Sequence, residues 1–230
     1  MSSEINRSLD ELLPQVAYEL IVSEQEREAL FRLRYIAYLK EEAVPPNDTG
    51  QLHDRFDDLP NSFNIGMKVG SHLVGAMRIC VWSRQFRYET TPGLEVFREE
   101  LASYLQPDAV MIDPNRFVVD VAFTQKQNAF AFALMRISFM ACIKFQATIA
   151  IAAARREHCG FYIRSFGHKK VTEPRLYSGL IKPLALLVND FPVNHQPTIN
   201  KYPSFGLRED DLEKIFDSIS RQCFSTERIR

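Results

Sequence analysis

The sequence predicts an α/β domain of the α+β type, with a mixed sheet flanked by helices. Three observations carry this. Residues 63–82 alternate in the manner of two antiparallel strands joined by Gly70-Ser71, a pair suited to a two-residue hairpin turn. A β-branched and aromatic run, 116–123, feeds through a short polar loop into a helix, 129–145, that is apolar nearly all round and so belongs in a core. Strand and helix signals then follow in the order β-α, β-β-β, α, β, α, β, and the consecutive antiparallel strands exclude a simple doubly wound fold.

Taken in order, residues 1–14 are a polar arm or short helix ending at Pro14, and 16–22 are a strand by composition. Ser23 and Glu26 form a capping box that starts a helix reaching about Leu39, with Leu30, Leu33 and Ala37 at core spacing. Residues 42–61, with Pro45, Pro46, Gly50 and Pro60, are mostly loop. Within the second hairpin strand Arg78 shares a face with Val74, Ala76, Cys80 and Trp82, a charge among apolar side chains. Residues 83–110 read as an insertion with a helix from about Leu94 to Tyr104, and Asp113-Pro-Asn115 as a turn before the central strand. Residues 147–154 are a strand of unusually small side chains. Either a helix packs closely on it or it leaves room for an apolar chain. A short helix, 156–164, a strand region, 180–191, a linker, 192–203, and an amphipathic helix, 210–223, complete the chain. The expected domains are an arm (1–14), one catalytic-sized domain (15–191) and a linker with a C-terminal helix (192–230).

Composition narrows the class. With 230 residues, 46% of them hydrophobic, the chain can bury one large core. A formal charge of -1 gives no whole-molecule attraction to nucleic acid or anionic membrane. The apolar helix is short for a membrane span and carries Arg136 in its middle. Cys80, Cys142, Cys159 and Cys223 lie far apart and read as reduced core thiols, and the N-terminus lacks a signal-peptide pattern, so a cytoplasmic location is expected. The histidines show no ligand spacing, and no metal site is expected.

The charges that remain are the chemistry. Arg116 and Asp120 share a face of the central strand, and with Arg78 and Asp113 they are expected to meet near one end of the sheet. Buried charges persist mainly when paired, so a structural ion-pair cluster is one reading. The other makes Asp113 a general base and the arginines anchors for a carboxylate or carbonyl. Arg34, Asp54 and Asp57 are expected to order a loop over the site.

Four short patterns in this order carry a resemblance: Arg34 with Tyr38 four residues on, Asp54-Arg-Phe-Asp57, Gly75-Ala-Met-Arg78, and Asp113-Pro-Asn-Arg116-Phe117. Over roughly residues 16–190 the chain resembles the acyl-homoserine-lactone synthases and, more closely, the long-chain N-acyl amino acid synthases of the GNAT acyltransferase superfamily. The resemblance implies a GNAT-like fold with a centrally splayed sheet. It also implies transfer of a long-chain acyl group from acyl carrier protein to the amine of a small amino acid, a lipid-signalling chemistry. Asp113 stands where lactone synthases carry Glu. The GNAT pyrophosphate loop stands here as Lys126-Gln-Asn-Ala129-Phe-Ala131 without its glycine, which favours the acyl-phosphopantetheine of a carrier protein over free coenzyme A, with no permanently bound cofactor. Implied roles are Asp113 as base, Tyr162 as acid for the leaving thiolate, and Arg34, Tyr38, Asp54, Asp57, Arg78, Arg116, Val121, Phe123 and Thr124 around the substrates. Lys126, Arg155, Arg156, Lys169 and Lys170 would meet the carrier. The rival readings are a lactone synthase using S-adenosylmethionine and a non-catalytic acyl- or carrier-binding module.

Overall fold

The computed structural model describes residues 2–177, 179–206 and Ile215, with residues 124–127 described in their backbone only. Seven strands form one sheet in the order β1-β2-β3-β4-β5-β7-β6. These are β1 (Val16–Leu20), β2 (Ser62–Val69), β3 (His72–Trp82), β4 (Met111–Val119), β5 (Ile149–Ala154), β6 (Lys169–Lys170) and β7 (Ala185–Asp190). All neighbours are antiparallel except β4 and β5, which are parallel and therefore need a crossover. Helix α5 (Gln127–Lys144) supplies it.

The sheet carries a helical layer on each face. On one face α5 and α1 (Ser2–Leu12) cover Ile65, Met67, Met77, Ile79, Val81 and Ile112. On the other, α2 (Glu24–Lys40) packs Leu30, Phe31 and Ala37 against Ala76 and Val118. The short helices α3 (Pro92–Val96) and α4 (Arg98–Leu101) bring Leu94, Phe97 and Leu101 against Met111, Ile149 and Ile151. Helix α2 starts at the Ser23–Glu26 capping box, both halves of which are formed. The first residues are not a loose arm, because Leu9 and Leu12 are buried in the α5 core, each adding roughly 1.5–3 kcal/mol of apolar burial.

Several sequence expectations are corrected. The Asp113-Pro-Asn115 stretch is not a turn but lies inside β4, with Ile79 opposite Pro114 and Cys80 opposite Asp113. Proline favours an extended residue before it, so Asp113-Pro fits a strand that needs no amide donor there. The single helix expected over 94–104 is two, broken at Phe97 (φ -122, ψ 32), and the first begins at Thr91, whose hydroxyl accepts the Leu94 N–H. The expected linker, 192–203, is largely helix α7 (Phe191–Lys201), capped by Asp190 with Pro192 in its first turn. A proline there starts a helix, since its missing N–H would have no partner in any case. Cys80, Cys142 and Cys159 are buried and free. The expected helix 210–223 lies outside the described residues except for Ile215, which is buried in the α5 core. No helix among the described residues is long and apolar enough to cross a membrane.

Candidate active site

Strands β4 and β5 pair only at Met111–Ile149 and Ile112–Ala150, whereas β5 pairs with β7 over its whole length. Beyond Ile112 the two central strands part, which is the splay the fold implies, and the edge of β4 from Asp113 onward borders the gap.

The charged residues gather on β4 at an irregularity. Ala76 lies opposite Val118 but Arg78 lies opposite Asn115, so β4 carries one extra residue, and Arg116 adopts φ 52. This is a β-bulge. Without it, strand alternation would send Asn115 and Arg116 to opposite faces. With it, both reach the same cluster: Arg78 Nε donates to Asn115 Oδ1 at 2.6 Å, and Arg116 Nε and Nη2 both donate to Asp54 Oδ2, the former at 3.1 Å.

Asp54 and Asp57 hold the centre. They cap each other across a 3-10 turn, Asp54 accepting the Phe56 N–H at 3.0 Å and Asp57 Oδ2 accepting the Asp54 N–H at 2.9 Å. Asp54 also receives Arg78 Nη1 at 2.6 Å and Nη2 at 3.2 Å. Asp57 Oδ1 receives Arg34 Nη1 at 2.7 Å and lies 3.0 Å from Arg78 Nη1. Arg34 Nη2 donates to Asn64 Oδ1 at 2.6 Å. Arg34 and Arg78 are 0% and 1% exposed, so neither is a solvated cation. Burial pushes the Asp54 carboxyl up, but the Arg78 hydrogen bond and the Arg78 and Arg116 charges outweigh it and hold it well below the usual carboxylate range. Burial likewise opposes Asp57, and Arg34 and Arg78 prevail.

Asp113 sits apart from this network under α3. Its Oδ2 accepts the Gly93 N–H at 2.7 Å, and Asn115 Nδ2 bonds its carbonyl at 2.9 Å. A Cβ on Gly93 would meet Asp113 Oδ2 at 2.9 Å and Ile151 Cδ1 at 2.4 Å, so only glycine permits this approach. Asp113 is fully buried, and burial raises its carboxyl above its ordinary value against the Gly93, Thr91 and Asn115 hydrogen bonds.

Tyr38 adjoins Arg116, and Tyr162 lies near Tyr38. The Arg116 guanidinium lies 5.7 Å from the Tyr38 ring. Tyr162, on α6 (Arg156–Phe166), is raised above the ordinary phenol range by burial and by the nearness of Tyr38 and Cys159. The small side chains of β5 serve close packing, since Ala152 and Ala154 meet Cys159, Ala185, Leu187 and Tyr162 as α6 descends on the strand. A cavity of about 20 Å³ between α5, β5 and α7 is lined by Ser138, Cys142, His168 and Asn189, and has room for one water molecule.

Thus Arg34, Asp54, Asp57, Arg78 and Arg116 form one network, with Tyr38 and Asp113 adjoining it through Arg116 and Asn115. Asp120, expected in the cluster, is not among its partners. It follows β4 and accepts the Ala122 N–H at 2.9 Å, capping the next turn. Val121 and Phe123 lie in that 3-10 turn, Val121–Lys126, and Phe123 packs edge-on to Phe130. Thr124 and Lys126 belong to the same turn, and their side chains lie outside the described residues. The basic residues after β5 are interleaved with acids: Arg155 pairs with Glu41 and Glu157, and Arg156 and Lys170 with Glu173, while Lys169 is exposed. Arg155, Arg156 and Lys182 border an open pocket of about 450 Å³ with Pro174 and Pro183. The sequence reading missed Asn64 and Asn115, which join the charges. Asn115 had a signal, being the asparagine next to Arg116 that only a bulge could place beside it.

Residues 29–190 match the profile of the family described as N-acyl amino acid synthase FeeM. No protein of curated function matches the sequence significantly. Among solved structures, FeeM itself, an N-acyl amino acid synthase from uncultured soil microbes, aligns with a TM-score of 0.66 at 16% identity, covering 81% of this chain and 96% of that one. The AHL synthase LasI aligns at 0.55 with 13% identity, covering 79% and 94%. BjaI, a CoA-dependent acyl-homoserine lactone synthase, aligns at 0.53 with 16% identity, covering 90% and 89%. The splayed mixed sheet is thus the GNAT-like acyltransferase fold, and, with the family profile matched across well over half its length, this chain is an N-acyltransferase belonging to the FeeM family of N-acyl amino acid synthases.

Proposed function

We propose that this enzyme transfers a long-chain acyl group from acyl carrier protein to the amine of an amino acid. The observation that carries the reading is the charge balance beside the β4–β5 gap. Among the described residues Arg34, Arg78 and Arg116 form ion pairs with Asp54 and Asp57 alone, while Asp113 stands apart with its carboxyl turned to the Gly93 N–H. An acceptor carrying a carboxylate supplies the missing negative charge at Arg116, the outermost of the three guanidiniums.

In this reading the thioester lies along the free edge of β4, whose backbone N–H groups beyond the bulge meet the developing oxyanion. The acceptor amine attacks the thioester carbonyl. The proton it loses passes to Asp113, directly or through water, and a carboxyl raised by burial is a better match to that task than an ordinary one. Collapse of the tetrahedral intermediate breaks the C–S bond, and Tyr162 gives a proton to the leaving thiolate. The Asp54–Asp57 turn does no chemistry; it fixes Arg78 and Arg116 so that little reorganisation is needed. Lys169, Lys170 and the pocket bordered by Arg155, Arg156 and Lys182, which Glu157 and Glu173 also line, form the face offered to the carrier.

The test is mass spectrometry of products from the purified protein, a series of acyl carrier protein thioesters and a panel of amino acids, with acyl-coenzyme A and S-adenosylmethionine in parallel arms. Acylated amino acid from the carrier-bound donor supports the reading. A lactone product, or turnover with coenzyme A thioesters alone, replaces it.

A further inference from the structure

Asn115 stands between the arginine network and Asp113, and its amide is engaged at both ends. Its Oδ1 accepts Arg78 Nε at 2.6 Å. Its Nδ2 donates to the Asp113 carbonyl at 2.9 Å and lies 3.5 Å from both Asp113 Oδ1 and Cys80 Sγ. The direction of the amide follows from Arg78. A guanidinium N–H can only donate, so the amide oxygen has to face Arg78 and the amide nitrogen Asp113. Arg78 is itself fixed, because Asp54 holds its Nη1 at 2.6 Å and its Nη2 at 3.2 Å and leaves Nε for Asn115. The β4 bulge makes the contact: counted from the Ala76–Val118 pair, Arg78 would lie opposite Arg116, and the extra residue puts Asn115 there.

The two Nδ2 protons have different tasks. One is committed to the Asp113 carbonyl. The other falls between Asp113 Oδ1 and Cys80 Sγ, at the outer limit of a hydrogen bond to each. Sulfur is a weak acceptor, so an ionised Oδ1 draws this proton to itself. The stronger bond to the carboxyl is on the other oxygen, where Oδ2 accepts the Gly93 N–H at 2.7 Å. That leaves Oδ1, on the Asn115 side, better placed to take up a proton. Burial pushes this carboxyl up, and the Gly93, Thr91 and Asn115 hydrogen bonds and the Arg78 charge oppose it.

We propose that Asn115 is a positioning residue for the reaction: oriented by Arg78, its amide presents a donor to Asp113 Oδ1 and so couples the arginine network to the group that receives the acceptor's proton. This rests on the reading of Asp113 as the base.

The experiment follows acyl transfer from one acyl carrier protein thioester to the most rapidly acylated amino acid between roughly pH 5 and 9. It compares the wild type with Asn115→Asp, Asn115→Ala and Asp113→Asn, with melting temperatures alongside. Asn115→Asp keeps an oxygen for Arg78, so the network stays paired, but it replaces the donor facing Asp113 with a second carboxylate oxygen. The lost donor and the added charge both favour protonated Asp113. The acid limb of kcat/KM in Asn115→Asp is expected to lie about 1 pH unit higher, a ~10-fold loss below the limb that recovers above it. Asn115→Ala moves the limb in the same direction, and the donor KM stays unchanged in both. A uniform loss at every pH with the limb unmoved, or no loss at all, overturns the inference, and an inactive Asp113→Asn then leaves the base reading standing. Full activity in Asp113→Asn overturns that reading and this inference together.

Discussion

Asp54→Asn isolates the charge that binds the network together. The amide keeps the shape and can still cap the 3-10 turn, so what is lost is the negative charge shared by Arg78 and Arg116. Breaking a buried pair from one side costs ~3–5 kcal/mol where nothing compensates. Here Arg78 keeps Asp57 and Asn115, and the Asp54 side chain is 25% exposed, so the loss is ~2–3 kcal/mol. With roughly 2.1 cal/mol/K of unfolding entropy per residue, a chain of this length loses ~2 °C per kcal/mol, and the melting temperature at pH 7 falls by ~4–6 °C. The pH dependence carries the sign of the argument. In the unfolded chain Asp54 takes up a proton near ~3.9, whereas in the fold it stays ionised to lower pH. Its stabilisation is full above that value and drains away as pH falls below it, so the wild type loses more stability on acidification than the variant. Thermal melts by circular dichroism between pH 3.5 and 7 read both effects. A variant melting within about 1 °C of wild type at pH 7, with a parallel pH curve, would refute the reasoning.

Asp113→Asn should fold, since its carbonyl oxygen can still accept the Gly93 N–H, yet lose ~10²–10⁴ in kcat/KM; full retention of acylation would remove Asp113 as the base. His168 is buried, and burial lowers its imidazole to about 4, so it is neutral in the fold while the unfolded chain protonates near ~6.5. Stability is therefore lost as pH falls from ~6.5 toward 4, and His168→Gln should flatten that limb of a urea-denaturation series; an unaltered slope would contradict the burial argument. Asp190 Oδ1 accepts the Val193 N–H at 3.2 Å at the start of α7, and Asp190→Ala should cost ~1 kcal/mol in urea denaturation, against no effect were this segment a linker.

The elements legible in the sequence are those whose signal is local. The Ser23–Glu26 box, the Gly70-Ser71 hairpin and the apolar α5 each rest on contacts within a few residues, and each forms where expected. The Asp54–Asp57 pattern is local too, being a reciprocal cap, which is why it could be found as four residues. Segments carrying proline mislead in one direction. Pro114 and Pro192 read as breaks in the sequence, yet one stands inside a strand at a position that needs no N–H donor and the other in a helix's first turn. Propensity cannot distinguish these cases, because the deciding fact is which neighbour occupies the amide's side.

The sequence by itself determined that three arginines and several acids would have to be reconciled inside an apolar sheet, because Arg78 has apolar neighbours on either face of its strand. Only the tertiary structure decided which acids. The extra residue in β4 turns Asn115 and Arg116 to one side and leaves Asp120 to cap a turn, and a bulge depends on the register of two strands.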